Sequence, residues 1–179
     1  MGLQRTRPSH EILSGATADV YFARADEILE KEGRDPVVTM EVFSRQPGVL
    51  CGIDEAKNLL GHVLATADPA ETQLEALSDG DLVEPKEIVL RIRARYRQFG
   101  LYETALLGML AQSTGWATAA REIVDVAAPE PVISFGARHV HRTAQQQVLR
   151  RHVDQVLTTD HVGDAHEGVV ALVGQEERG

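Results

Sequence analysis

Apolar positions recur along this chain with two periods, and the switches between them outline its elements. After a polar, proline-containing lead over residues 1–14, Thr17 is positioned to cap a helix running to about Lys31, with Gly33 closing it. From Val37 to Phe43 the pattern alternates, placing Val38, Met40 and Val42 on one face of a strand. Ile53 to Leu64 returns to helical spacing, with Asp54 and Glu55 in the favourable first turn. Residues 66–81 are polar and turn-rich and close on Asp79-Gly80-Asp81, a turn that introduces Leu82-Val83. Ile88 to Ala94 alternates again: Ile88, Leu90, Ile92 and Ala94 share one face, and Arg91, Arg93 and Arg95 share the other. Three arginines on one strand face read as a solvated outer face rather than an anion-binding surface, since antiparallel sheets commonly turn one side to water.

The longest helical stretch spans residues 97–127, with Phe99, Tyr102, Leu106, Leu107 and Leu110 at helical spacing. The segment from Thr104 to Ala111 is apolar nearly all round and reads as a core helix. Gly115 is expected to interrupt it, with a second helix from Trp116 to about Val126. Pro129 and Pro131 mark a linker, and the apolar run beginning at Pro131 reads as a buried strand over 131–135. A helix is expected near 144–157. The sequence contains no internal repeat and no low-complexity segment.

Composition narrows the class. The 179 residues are 43% hydrophobic and 25% charged, a globular balance. A net charge of −9 argues against non-specific nucleic-acid binding, which needs basic surface. No apolar run reaches the length of a membrane span, and no signal peptide opens the chain, so a cytoplasmic protein is expected. The single cysteine, Cys51, fits a reducing compartment and reads as a buried small hydrophobe. Basic residues are mostly arginine, with lysine only at Lys31, Lys57 and Lys86.

The candidate chemistry lies mainly in Ser134-Phe135-Gly136-Ala137-Arg138-His139-Val140-His141. A turn after a buried strand is where α/β proteins often seat anions. Arg138 either grips a carboxylate or phosphate there with its planar fork, or pairs with an acidic neighbour. His139 and His141 point the same way on an extended segment. They lack a third ligand at plausible spacing, and His152, His161 and His166 are scattered, so no metal site is assigned. Asp19 and Tyr21 fall in the first helix, where Tyr21 either packs in the core or stacks on a flat ring. Glu103 sits in an apolar helix and needs a partner; it is expected to hold one of the strand arginines or to serve a site. There is no P-loop, nucleophile elbow or acid–base carboxylate pair.

Five blocks, in order, resemble nicotinate phosphoribosyltransferases of the shorter type. They are Ala18-Asp19-Val20-Tyr21-Phe22, Pro36 to Phe43, and Pro47-Gly48-Val49-Leu50-Cys51-Gly52-Ile53. The fourth runs from Tyr102-Glu103-Thr104 through Ser113-Thr114-Gly115-Trp116 to Ala119, and the fifth is the Ser134–His141 motif. The resemblance implies an α+β / α/β fold: the N-terminal sheet-plus-helices domain of the type II phosphoribosyltransferases, followed by only the first strand of an α/β barrel. It divides the chain into an N-terminal domain over 1–128, the start of a barrel over 129–142, and an unmatched tail over 143–179 that reads as frameshifted or truncated.

The implied activity is transfer of phosphoribose from phosphoribosyl pyrophosphate to nicotinate, a salvage step of NAD biosynthesis. Magnesium accompanies the pyrophosphate, and in some members ATP hydrolysis is coupled, as in a ligase. By resemblance Arg138 contacts the nicotinate carboxylate or a phosphate, and His139 and His141 line the site. Tyr21 stacks on the ring in the partner subunit of a homodimer with shared sites, and Asp19 supports it. The related quinolinate enzymes carry an arginine after the glutamate of the long helix. Here Thr104 follows Glu103, which fits a substrate with one carboxylate. With most of the barrel unmatched, the chain is expected to be an incomplete enzyme by itself. The alternatives are a non-catalytic subunit of a split or regulated enzyme, and a decarboxylating quinolinate phosphoribosyltransferase.

Overall fold

The computed structural model describes residues 7–130, 132 and 169–175. Its elements run α1 (His10–Leu13), α2 (Val20–Lys31), β1 (Val37–Ser44), β2 (Gly48–Val49), α3 (Ile53–Val63), β3 (Gln73–Ala76), β4 (Leu82–Val83), β5 (Ile88–Arg95), α4 (Tyr96–Phe99), a 3-10 turn (Gly100–Tyr102), α5 (Glu103–Ala127) and β6 (Val169–Gln175). Four strands form an antiparallel sheet in the order β3-β5-β1-β6, and β2 pairs with β4 in a separate ribbon. The result is a mixed α+β architecture.

The alternation of β1 and β5 sets the layers. Val38, Met40 and Val42 of β1 and Leu90, Ile92 and Ala94 of β5 are buried against Ile53, Ala56, Leu59 and Leu60 of α3 and Leu106 and Leu110 of α5. Removing this apolar surface from water is the main stabilising term of the domain. The other sheet face is polar. Opposite-charge partners face each other across it, with Arg91 in register with Glu41 on one side and Glu75 on the other. Helix α3 leaves the β2 ribbon through Gly52, whose φ of 100° takes the left-handed conformation that glycine adopts without a Cβ penalty. The same residue lies so close to α5 that a Cβ would stand 2.7 Å from the Met109 carbonyl oxygen.

Several expectations are corrected. The first long helix starts at Val20, with Asp19 rather than Thr17 as its N-cap, and the polar lead contains a helical turn, α1, capped by the Ser9 hydroxyl. The turn-rich segment 66–81 contains β3, whose residues alternate without a buried apolar face because it lies at the sheet edge. Ile88 is 36% exposed, while Val89 is buried, because the β1–β5 register slips between Val42 and Phe43 and Val89 is skipped. Gly115 does not interrupt α5, which is continuous over 25 residues; one glycine costs only about 1 kcal/mol, and packing along the helix outweighs it. Cys51 is partly exposed rather than buried.

Apart from residue 132, the expected strand over 131–135 and the helix near 144–157 lie outside the described residues. No strand is expected after residue 157, yet Val169–Gln175 pairs along the free edge of β1, from Val38 opposite Gln175 to Ser44 opposite Val169. Its Val-Val-Ala-Leu-Val sequence suits a strand, and an uncovered edge of β1 offers the ladder. No helix among the described residues is long and apolar enough to cross a membrane.

Candidate functional site

The N-terminal ends of α2 and α5 meet and bring Asp19, Tyr21, Glu103 and Thr104 together. Asp19 has the extended backbone of an N-cap, but its side chain makes no capping bond to its own helix. It turns instead to α5. The Asp19 N–H donates to Thr104 Oγ1 at 3.2 Å, and the Thr104 hydroxyl donates to Asp19 Oδ2 at 3.2 Å. The Tyr21 hydroxyl donates to the same carboxylate oxygen at 3.3 Å. Tyr21 is 58% exposed and rests against the buried Phe22, with ring centroids 4.3 Å apart. One side of its ring thus leans on the body and the rest faces outward.

Glu103, half-buried in the first turn of α5, deepens the negative character of this corner. Burial pushes its carboxyl above the ordinary value, and the neighbouring Asp19 charge adds to the rise. The Tyr21 hydroxyl is raised first by desolvation and then by Asp19, with Glu103 contributing. Tyr96 completes the cluster: burial raises its hydroxyl first, followed by Glu103, Tyr21 and Asp26. Its ring meets Phe99 edge-on at 6.1 Å and lies over Gly100, where a Cβ would stand 2.6 Å from the ring.

Glu103 does not hold a strand arginine, because those arginines are engaged on the outer sheet face. Arg91 donates to Glu41 and to Glu75, each at 2.7 Å. Arg95 pairs with Glu71 at 2.7 Å and donates to the Asp35 carbonyl at 3.0 Å. Arg93 donates to the Glu71 carbonyl. A depression of about 290 Å³ on this face is lined by Thr39, Gln73, Glu75, Arg91 and Arg93. Its acidic partners offset its cations, so it matches the solvated-face reading rather than an anion site.

Arg138, His139 and His141 lie outside the described residues, so their placement relative to Tyr21 is not part of this geometry. Among the described residues no group of three or more His, Cys, Asp or Glu stands close enough to hold a metal ion. Some organising residues gave no sign in the sequence pattern. Thr114 accepts from the Cys51 N–H and donates to the Cys51 carbonyl, both at 3.1 Å. Thr118 accepts from the Val49 N–H at 2.9 Å. Asp79 caps α3 from 26 positions away, accepting from the Ile53 N–H at 2.7 Å. The only local signal for Asp79 was its turn motif.

Residues 19–114, more than half of the chain, match the family described as quinolinate phosphoribosyl transferase, N-terminal domain. A nicotinate phosphoribosyltransferase of Mycobacterium tuberculosis is 31% identical over 77 residues, which is 43% of this chain and 17% of that protein. The nicotinate-nucleotide pyrophosphorylase of Pyrococcus furiosus superposes with a TM-score of 0.69 at 38% identity, over 83% of this chain and 38% of its own. Human nicotinic acid phosphoribosyltransferase superposes at 0.58 and 22% identity over 69% of this chain and 31% of its own, a likeness of fold alone. The chain spans well under half the length of each of these relatives.

Proposed function

Since this chain belongs to the quinolinate phosphoribosyl transferase family by its N-terminal domain, we propose that it serves a phosphoribosyltransferase of NAD biosynthesis whose acceptor is nicotinate. The observation that carries this reading is the corner at Thr104. Its hydroxyl is closed on Asp19, with Glu103 beside it, a half-buried carboxyl raised by burial and by the Asp19 charge. An acceptor with two carboxylates would bring its second one toward the Asp19 and Glu103 carboxylates. Like charges at such range are unfavourable wherever water is partly excluded. An arginine in place of Thr104, as the resemblance expects of quinolinate enzymes, would reverse that balance. Quinolinate remains the alternative, and the family's own description is what favours it.

In this reading Tyr21 stacks on the pyridine ring, which suits an exposed ring whose hydroxyl is held by Asp19. The ring belongs to a site shared with a second copy in a homodimer. Arg138 takes the carboxylate or a phosphate, with His139 and His141 alongside. Magnesium with phosphoribosyl pyrophosphate, and ATP, are assigned to the complete enzyme, to which this domain contributes its pyridine-side helices.

The test is a pair of titrations of the purified chain, with nicotinate and with quinolinate, followed by saturation-transfer NMR. Nicotinate is expected to bind at least about tenfold more tightly, the scale of one lost charged hydrogen bond. Product formation from each acceptor with phosphoribosyl pyrophosphate and magnesium is measured alongside. Equal or tighter quinolinate binding, or turnover of quinolinate in preference, overturns the choice of acceptor.

A further inference from the structure

Helix α2 is weakly attached to the domain it decorates. Phe22 is its buried residue, while Val20, Tyr21 and Ile28 are each more than half exposed. Apolar burial alone would hold such a helix loosely. Two polar anchors do the rest. At its start, Asp19 is tied to Thr104. One turn and more beyond Tyr21, Arg97 donates through Nε to Asp26 at 2.7 Å and approaches Glu30 through Nη2 at 3.4 Å. Phe22, Asp26 and Glu30 are four residues apart in turn, so they share the face toward the body, and the carboxylates lie one above the other for a single guanidinium.

Arg97 is a rigid post. Its backbone N–H donates to Asp35 Oδ1 at 3.0 Å, the preceding Tyr96 N–H donates to the Pro36 carbonyl at 2.9 Å, and Phe99 on the same short helix is fully buried. The arginine therefore hangs from the core while its partners ride on α2. The two anchors are seven residues apart, about 10 Å along the helix axis, and Tyr21 lies between them.

We propose that Arg97 is a positioning residue for the acceptor site: by clamping Asp26 and Glu30 it fixes the attitude of α2 and hence where the Tyr21 ring faces its ligand. This rests on the reading of Tyr21 as the residue that stacks on the acceptor ring. Losing the clamp leaves α2 held only near its start, by Asp19–Thr104 and the buried Phe22, and a helix held at one end samples orientations in which the ring misses the ligand.

The test is a double-mutant cycle read by nicotinate titration of the full chain, with hydrogen exchange of α2 in parallel. Arg97→Ala and Tyr21→Ala are each expected to weaken nicotinate binding by roughly threefold or more, and the double variant no further than the weaker single. Exchange should quicken across Val20–Lys31 in Arg97→Ala while β1, β5 and α5 stay protected. Arg97→Lys, which keeps charge but not the fork, should recover part of both effects. If Arg97→Ala does not fold, Asp26→Asn on the α2 side of the clamp carries the same expectation. Weakened binding in Tyr21→Ala with none in the clamp variants overturns the positioning role alone. Unchanged binding in Tyr21→Ala overturns the stacking role on which it rests. Additive losses in the double variant overturn the coupling between Arg97 and Tyr21.

Discussion

Replacing Gly52 by alanine should be among the most damaging single-methyl changes in this domain. Gly52 has φ 100° and ψ 0°, a conformation that costs an alanine about 1–2 kcal/mol. Its new Cβ would stand 2.7 Å from the Met109 carbonyl oxygen and 3.3 Å from Ser113 Cβ, both on α5. The first neighbour is helix backbone and cannot rotate away. Relief requires α5 or the β2–α3 junction to move, and that junction carries Leu50 and Ile53, which pack with Leu110 in the core at 1% exposure or less. Overpacking of this kind costs about 1–3 kcal/mol. Together the two terms reach about 2–5 kcal/mol, a large share of the 5–15 kcal/mol that holds an ordinary domain folded. Urea denaturation followed by far-UV circular dichroism should show the midpoint falling by on the order of 1–2 M with an unchanged slope. Gly61→Ala is the control: it lies in α3 with nothing within 4 Å of an added Cβ, and should gain up to about 1 kcal/mol. A Gly52→Ala protein within about 0.5 kcal/mol of the parent would refute the close-approach argument.

Three further outcomes follow from the same geometry. Thr114→Val removes the hydroxyl that both accepts from and donates to the Cys51 backbone and should cost about 1–3 kcal/mol in the same denaturation, whereas Thr114→Ser should retain most of the stability. Because the folded Glu103 carboxyl is raised above its ordinary 4.5, the folded state holds its proton more tightly and loses stability as pH climbs from about 4.5 through the raised value; Glu103→Gln should lack this fall, so its thermal midpoint should gain on the parent as pH rises, and a gap that stays flat between pH 4 and 7 would contradict it. Thr104→Arg places a cation beside Asp19 and Glu103 and should shift relative binding toward quinolinate, read by competition with nicotinate; an unchanged preference would remove Thr104 from the basis of acceptor choice.

Much of this domain is legible in the sequence. The alternation at Val38, Met40 and Val42 and at Leu90, Ile92 and Ala94 identified the inner sheet face, because a period of two has only one way to bury its apolar half. The three arginines opposite were correctly read as outer-face residues, and the helical stripes of α3 and α5 located the layer that covers the sheet. The edge strand β3 escaped notice because an exposed edge leaves no apolar alternation to read. Gly115 misled because helix propensity is a small local term beside the packing of a long helix.

At the candidate site, the sequence carried the identities of Asp19, Tyr21, Glu103 and Thr104, and the family likeness that made them candidates. It could not pair them. The Asp19–Thr104 hydrogen bonds join positions 85 apart, the Arg97–Asp26 clamp positions 71 apart, and the Thr114–Cys51 bonds positions 63 apart. Periodicity is a property of neighbours on one helix or strand and says nothing about which carboxylate meets which hydroxyl across the fold. The placing of Glu103 beside Asp19 rather than beside a strand arginine belongs to this class. So do the pairing of Val169–Gln175 with β1 and the close seat of Gly52 on α5. What the sequence by itself determined is the layer each element joins and the face it buries, through hydrophobic patterning. Only the packed tertiary structure decided the partners of the polar groups, because those pairings depend on where helices cross once the core has closed.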